Sequence, residues 1–252
     1  MKQALSFLKA GNLKPEKGFC QVHWEDEPKE CYVYLHNGEK HCSRCYTKAL
    51  NKRSHDEWLQ FRKADLHYAA HLPKRYEGQR FMATSDDQKA VRMTVKAFVD
   101  AVGQKDGWCA LILYGGVGTG KTLMASELAE AVIDKFDLSV RYCTAKQMIA
   151  EIQASYSTEG KSEEGEILRF VQYGLLILDE IDIKSDSKNA ALLLQEVINR
   201  RYNEEKPVVV ITNQTFDNLS QHVGDRIDSR LHENAFVAAF TWEDFRKNQS
   251  SN

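Results

Sequence analysis

The sequence predicts an α/β fold: a parallel sheet covered by helices, preceded by a small cysteine-rich module and a basic helical connection. Three observations predict it. Apolar runs at 108–114, 173–178 and 207–211 each lead into glycine, acidic or amide residues, with stretches of helical character between them. The first run continues directly into a glycine-rich loop and then a helix. Four of the six cysteines, Cys20, Cys31, Cys42 and Cys45, lie in the first fifth of the 252-residue chain. Continuous apolar strands are those of a sheet buried on both faces, and strand–helix alternation makes that sheet parallel.

Composition narrows the function classes. Hydrophobic residues make up 42% and charged residues 28%, an ordinary globular balance. The net charge of −2 gives no global basic field for nucleic acid, but it is unevenly divided: +5 over residues 1–80 and −7 over 81–252. No apolar run reaches the ~18 residues of a membrane span, and the N-terminus lacks the pattern of a secretory signal. A soluble, cytoplasmic protein without a membrane partner is expected. The organisation read from these shifts is a module over 1–45, a linker over 46–75 and a large domain over 76–252.

In chain order, Ala4, Leu5, Phe7 and Leu8 form a short apolar stripe before Gly11-Asn12. Cys20-Gln-Val-His23 and Cys42-Ser-Arg-Cys45 follow, two ligand pairs with two-residue spacers. Such pairs aim three thiolates and one imidazole at a tetrahedral Zn²⁺ with no open position, so the predicted zinc is structural and would supply folding energy to a short segment. The run Tyr32–Leu35 before Asn37-Gly38 reads as a strand and turn of a zinc ribbon. Cys31, His36 and His41 compete as ligands, and Cys31 in place of His23 would make an all-cysteine site. Tyr46 to His71, free of glycine and proline, reads as one or two basic helices ended by Pro73. Its Lys48, Lys52, Arg53, Arg62 and Lys63 form either a partner surface or a solvated face. Cys109 and Cys143 read as core residues.

Trp108–Tyr114 then leads into Gly115, Gly116, Val117, Gly118, Thr119, Gly120, Lys121 and Thr122, with a helix over Leu123–Phe136. This strand–GxxxxGK[ST]–helix context is that of a phosphate-binding loop. Glycines let backbone N–H groups wrap phosphates, and the helix N-terminus adds its positive dipole end. Lys121 is expected on the β- and γ-phosphates of ATP and the Thr122 hydroxyl on Mg²⁺. The second apolar run ends in Asp179 and Glu180: Asp179 to hold Mg²⁺, Glu180 to activate the attacking water. Burying such an acid pair without partners is costly, so a purely structural role is disfavoured. Asp182 reads as a surface residue. The third strand ends in Asn213, placed to hold the water and sense the γ-phosphate. Val140–Cys143 reads as the intervening strand, and Thr158–Gly165 as a loop.

The order Lys121-Thr122, Asp179-Glu180, Asn213 resembles the AAA+ ATPases, and within them the DnaC/DnaI/IstB-like group. Leu72-Pro-Lys-Arg-Tyr76 with Phe81, Leu178-Asp-Glu-Ile181, Asn199-Arg-Arg-Tyr202, and Gly224–Leu231 with Phe240–Arg246 carry the resemblance, over roughly residues 72–247. It implies that Arg230 is an arginine finger acting on the neighbouring subunit's γ-phosphate, with Arg226 as a rival, and that Arg246 is the sensor II arginine of its own subunit. A finger acting in trans implies self-association. The Cys-x-x-His…Cys-x-x-Cys module resembles that of several helicase loaders. The resemblance therefore implies a DnaB-type replicative helicase as partner of the N-terminal module, and single-stranded DNA as partner of the ATPase part. Tyr156 is a base-stacking or core residue. The competing function is an IstB-like transposition helper acting on DNA and a transposase. A small-molecule kinase is disfavoured by the acid pair and late arginines, and a non-hydrolysing zinc adaptor by Glu180.

Overall fold

A computed structural model of the protein describes residues 16–18, 31–36, 39–104, 107–182 and 188–245. The chain divides into two compact units, residues 1–62 and 63–252. The apolar stripe at Ala4–Leu8, the first ligand pair Cys20 and His23, the Asn37-Gly38 turn and Arg246 lie outside the described residues.

The first unit holds a small antiparallel sheet. Strands β1 (Glu16–Gly18), β2 (Cys31–His36) and β3 (Glu39–Cys42) pair in that order. Gly18 faces Cys31, Val33 faces Cys42 and His36 faces Glu39, so the strand expected at 32–35 is half of a hairpin. Helix α1 (Ser43–Ala69) follows without a break. It is one helix and begins before the second cysteine pair ends, because nothing between Ser43 and Ala69 interrupts it. Cys42 therefore closes β3 while Cys45 sits in the first turn of α1, and Val33 and Cys45 are buried together with Cys42 packed on them.

The second unit is a five-stranded parallel sheet between two helical layers. Its strands are β4 (Ala110–Gly115), β5 (Val140–Thr144), β6 (Leu175–Asp179), β7 (Val208–Thr212) and β8 (Ala235–Phe240), in the order β5-β6-β7-β4-β8. Successive side chains of a strand point to opposite faces. Leu111, Leu113, Ile177 and Val209 accordingly pack with helices α2 (Asp86–Gln104) and α3 (Lys121–Phe136). Ile112, Leu176, Leu178 and Val210 pack on the other face with α4 (Ala145–Ala154), α5 (Glu163–Gln172), α6 (Lys188–Asn203), α7 (Leu219–Val223) and α8 (Asp225–His232). Cys143 belongs to this second core, where burial pushes its thiol up to about 12; Cys109 lies in the first.

Local chemistry sets the helix ends. Thr144 and Gln147 form a reciprocal capping box at the start of α4. Ser162 accepts from Gly165 N and starts α5. The loop expected over 158–165 thus ends at Ser162, because a serine cap followed by Glu163, Glu164 and Glu166 suits a helix N-terminus. Arg201 is fully buried. Its guanidinium donates to the carbonyls of Phe170, Val171, Tyr173 and Pro207, joining the end of α5 to the start of β7. Burial lowers its pKa to about 9, which still leaves it cationic at neutral pH.

Candidate active site

The loop between β4 and α3 lies at the carboxyl end of the sheet, where ligands of open parallel sheets bind. Gly115 is required by space as well as by backbone angle: its φ is +136°, and a Cβ there would run into the Phe240 backbone carbonyl. Gly118 is favoured by its φ of +75° and sits against the carboxylate end of the Asp244 side chain. The segment after β8 crosses the loop: Trp242 Nε1 donates to Thr119 O (2.9 Å) and Phe245 N to Gly118 O (3.2 Å). Lys121 is buried and its Nζ donates to Gly115 O (2.8 Å) and Gly116 O (2.6 Å), so its ammonium lies inside the loop.

Strand β6 delivers the acids. Thr122 Oγ1 donates to Asp179 Oδ2 at 3.0 Å, which joins the phosphate loop to the end of β6. The Tyr142 hydroxyl donates to the same oxygen at 2.6 Å, and Glu180 N to Oδ1 at 2.8 Å. Burial and the neighbouring Asp179 carboxylate raise the Tyr142 pKa, so its hydroxyl stays protonated. Glu180 is exposed with φ +50°, a left-handed turn that takes it out of the strand before Ile181 re-enters the core. Asn213 is exposed just beyond β7.

These groups share one cleft of about 630 Å³. Val117 to Leu123, Asp179, Glu180 and Asn213 form one part, and Arg75, Tyr76, Phe81, Met82 and Phe245 another. A hard dication takes oxygen ligands, and the Thr122 hydroxyl beside the Asp179 carboxylate is such a donor pair. The glycine-wrapped loop with its inward lysine suits phosphates. The residues present therefore fit ATP with Mg²⁺.

Arg230 lies elsewhere. Its carbonyl accepts from Trp108 Nε1 at 3.0 Å, just before β4 begins, whereas the phosphate loop follows the end of β4. A six-residue strand is about 20 Å long, so Arg230 belongs to the amino end of the strands, opposite the phosphate loop. There it stacks on Tyr202, 5.0 Å from the ring centre, beside a hollow also lined by Asp225, Arg226, Ser229 and Glu233.

The profile of the family described as IstB-like ATP binding protein matches residues 48–251. The chain belongs to the IstB-like ATP-binding family. This IstB-like protein is therefore one of an ATP-binding family, in agreement with its phosphate loop. It is 24% identical to the replicative helicase loader DnaC of Escherichia coli (strain K12) over 143 residues, covering 56% of this chain and 58% of that relative. The chain thus spans less than two thirds of the length of that curated relative. Among solved structures, the DnaC helicase loader superposes with a TM-score of 0.60 at 21% identity, covering 66% of this chain and 99% of the other. The replication initiator DnaA bound to AMPPCP and single-stranded DNA superposes with a TM-score of 0.56 at 21% identity, covering 69% and 52%. These likenesses show the fold.

Three residues of the IstB-like site escaped the sequence reading. Asp182 is half-buried, not a surface residue: its carboxylate accepts from Thr212 Oγ1 (2.5 Å) and Asn213 N (3.2 Å), which holds the end of β7. Glu127 on α3 accepts from Phe81 N (2.9 Å) and Arg92 Nη2 (2.7 Å), which ties the segment before α2 to the cleft. Tyr142 is the third. Each acts across the sheet or between helices, and no local motif marks it. Among the described residues, no group of three or more His, Cys, Asp or Glu side chains could hold a metal ion. The zinc expectation rests on Cys20 and His23 together with Cys42 and Cys45.

Proposed function

We propose that the protein is an ATP-dependent loader of a DnaB-type replicative helicase, with ATP binding and hydrolysis switching its assembly and its release of the helicase. The observation that carries this reading is the similarity to a replicative helicase loader over 143 residues. On this reading Lys121 contacts the β- and γ-phosphates, and Thr122 and Asp179 hold Mg²⁺, which neutralises phosphate charge when bound. Asn213 holds the attacking water and Glu180 takes its proton. The water oxygen bonds to the γ-phosphorus as the bond to the bridging oxygen breaks, and ADP and phosphate leave. Arg230 of a neighbouring copy stabilises the charge on the transferring group, a role in trans that its place at the far end of the strands supports. Arg246 serves as the sensor arginine of its own copy. Single-stranded DNA is the nucleic-acid partner, by likeness to the DnaA complex. Exposed Lys48, Lys52 and Arg62 on α1 offer it basic groups.

The N-terminal module is proposed to grip the helicase around a structural zinc ribbon, with Cys20, His23, Cys42 and Cys45 as ligands. Strand pairing supports that choice. Gly18 faces Cys31 and Val33 faces Cys42, so β1 ends, two residues before Cys20, toward the sheet end that carries Cys42. Cys31 stands toward the same end and is the substitute for His23. A helix N-terminus favours the Cys45 thiolate.

A second reading, a transposition helper acting on DNA and a transposase, draws on the IstB-like family profile. Size-exclusion light scattering with the host's replicative helicase, with and without ATP, separates the two. A nucleotide-sensitive complex is expected, and Cys42→Ser is expected to lose zinc and the complex while keeping nucleotide binding. Absence of a complex in both states overturns the loader reading, and ATPase stimulation by duplex DNA would then point to the helper.

A further inference from the structure

Three donors converge on the Asp179 carboxylate, and one of them belongs to no phosphate-binding motif. Oδ1 accepts from Glu180 N, while Oδ2 accepts from both Thr122 Oγ1 (3.0 Å) and the Tyr142 hydroxyl (2.6 Å). Tyr142 reaches Asp179 from the adjacent strand. In the β5–β6 register Thr144 faces Asp179 and Tyr142 faces Ile177, so the tyrosine ring spans a two-residue step along the sheet. Its backbone is held as well: Tyr142 N donates to Ala70 O at 2.9 Å, and Ala70 is fully buried.

We propose that Tyr142 is a positioning residue for the Mg²⁺ site, holding the Asp179 carboxylate in the orientation that receives the cation. This rests on the reading of Thr122 and Asp179 as the Mg²⁺-holding pair. A carboxylate oxygen has two lone-pair directions. With Tyr142 on one of them, the other faces Thr122, where the cation belongs. The Thr122 hydroxyl turns a lone pair toward a bound cation, which swings its O–H away from its present line to Oδ2. Tyr142 has no such second duty and is the side-chain donor that keeps Oδ2 in place. Rotation about the terminal torsion of an aspartate is broad and soft, so an acid at a strand end needs such a stop. The sheet sets this stop, because the ring pivots on a strand paired to β6.

The test uses the full chain, a fluorescent ATP analogue and Mg²⁺ titrated against an EDTA reference, for the parent protein and Tyr142→Phe. Removing one hydrogen bond to a charged group is expected to raise the Mg²⁺ concentration for half-maximal tightening about tenfold. Analogue affinity in EDTA should stay within about twofold, since no phosphate contact is lost. An unchanged Mg²⁺ half-point overturns the proposal. So does an equal loss of affinity with and without Mg²⁺, or a lowered unfolding temperature with no Mg²⁺ shift, because those report a structural role alone. A parent protein whose affinity ignores Mg²⁺ would overturn instead the reading of Thr122 and Asp179 on which the proposal stands.

Discussion

Glu180 shows what a single residue carries here. A left-handed backbone at a residue with a side chain costs roughly 1–2 kcal/mol, and such strain persists only where the surroundings enforce it. They do: Asp179 and Ile181 on either side are buried, and Ile181 N donates to Ile211 O at 3.2 Å. The turn brings the Glu180 carboxylate to the cleft shared with Lys121 and Asn213. Glu180→Gln is expected to keep nucleotide binding and to lower phosphate release by about 10²–10⁴-fold, the range of a lost general base. Unchanged release would remove Glu180 from that role. The acid pair was legible because two carboxylates closing an apolar run are chemically conspicuous. The left-handed turn was not, since nothing in Leu-Asp-Glu-Ile announces it. Asp182 was misread for a related reason. Its partners Thr212 and Asn213 stand some thirty positions away, and only the β6–β7 pairing brings them together.

Among the elements, β4, β6 and β7 were legible nearly to their ends because Val, Ile and Leu runs buried on both faces resemble little else, whereas the alanine-rich β8 was not read as a strand. The helix starts were less so. Lys121 and Thr122 already belong to α3, and α1 absorbs the residue pair after Cys42. How the elements are fastened was hidden too. Asn199-Arg-Arg-Tyr202 stood out as a resemblance, yet its two arginines have opposite environments. Arg200 pairs with Glu164 and Glu196 near the surface, while Arg201 is enclosed with four carbonyl oxygens. Removing Arg201 leaves buried acceptors without donors at the α5 terminus and at β7, each costing about 1–3 kcal/mol. Arg201→Ala is therefore expected to lower stability by about 3 kcal/mol or more, read from the urea unfolding midpoint. Arg200→Ala should change it by less than about 1 kcal/mol.

At the scale of the whole molecule, Lys121 and Arg230 stand at opposite ends of the strands of one sheet. A copy that supplies an arginine to its neighbour cannot supply the same arginine to itself. The proposed trans arrangement therefore predicts complementation. Arg230→Ala and Glu180→Gln should each be nearly inactive alone. Mixed, they should regain turnover at contacts where the intact Glu180 of one meets the intact Arg230 of the other. A mixture no more active than its components would place the finger elsewhere, with Arg226 the nearest substitute in that hollow. A head-to-tail contact of this kind need not close on itself. Such a row behaves like a queue: every copy with someone behind it turns over its ATP, while the last in line keeps its own, so the row always has one end that is slow to let go.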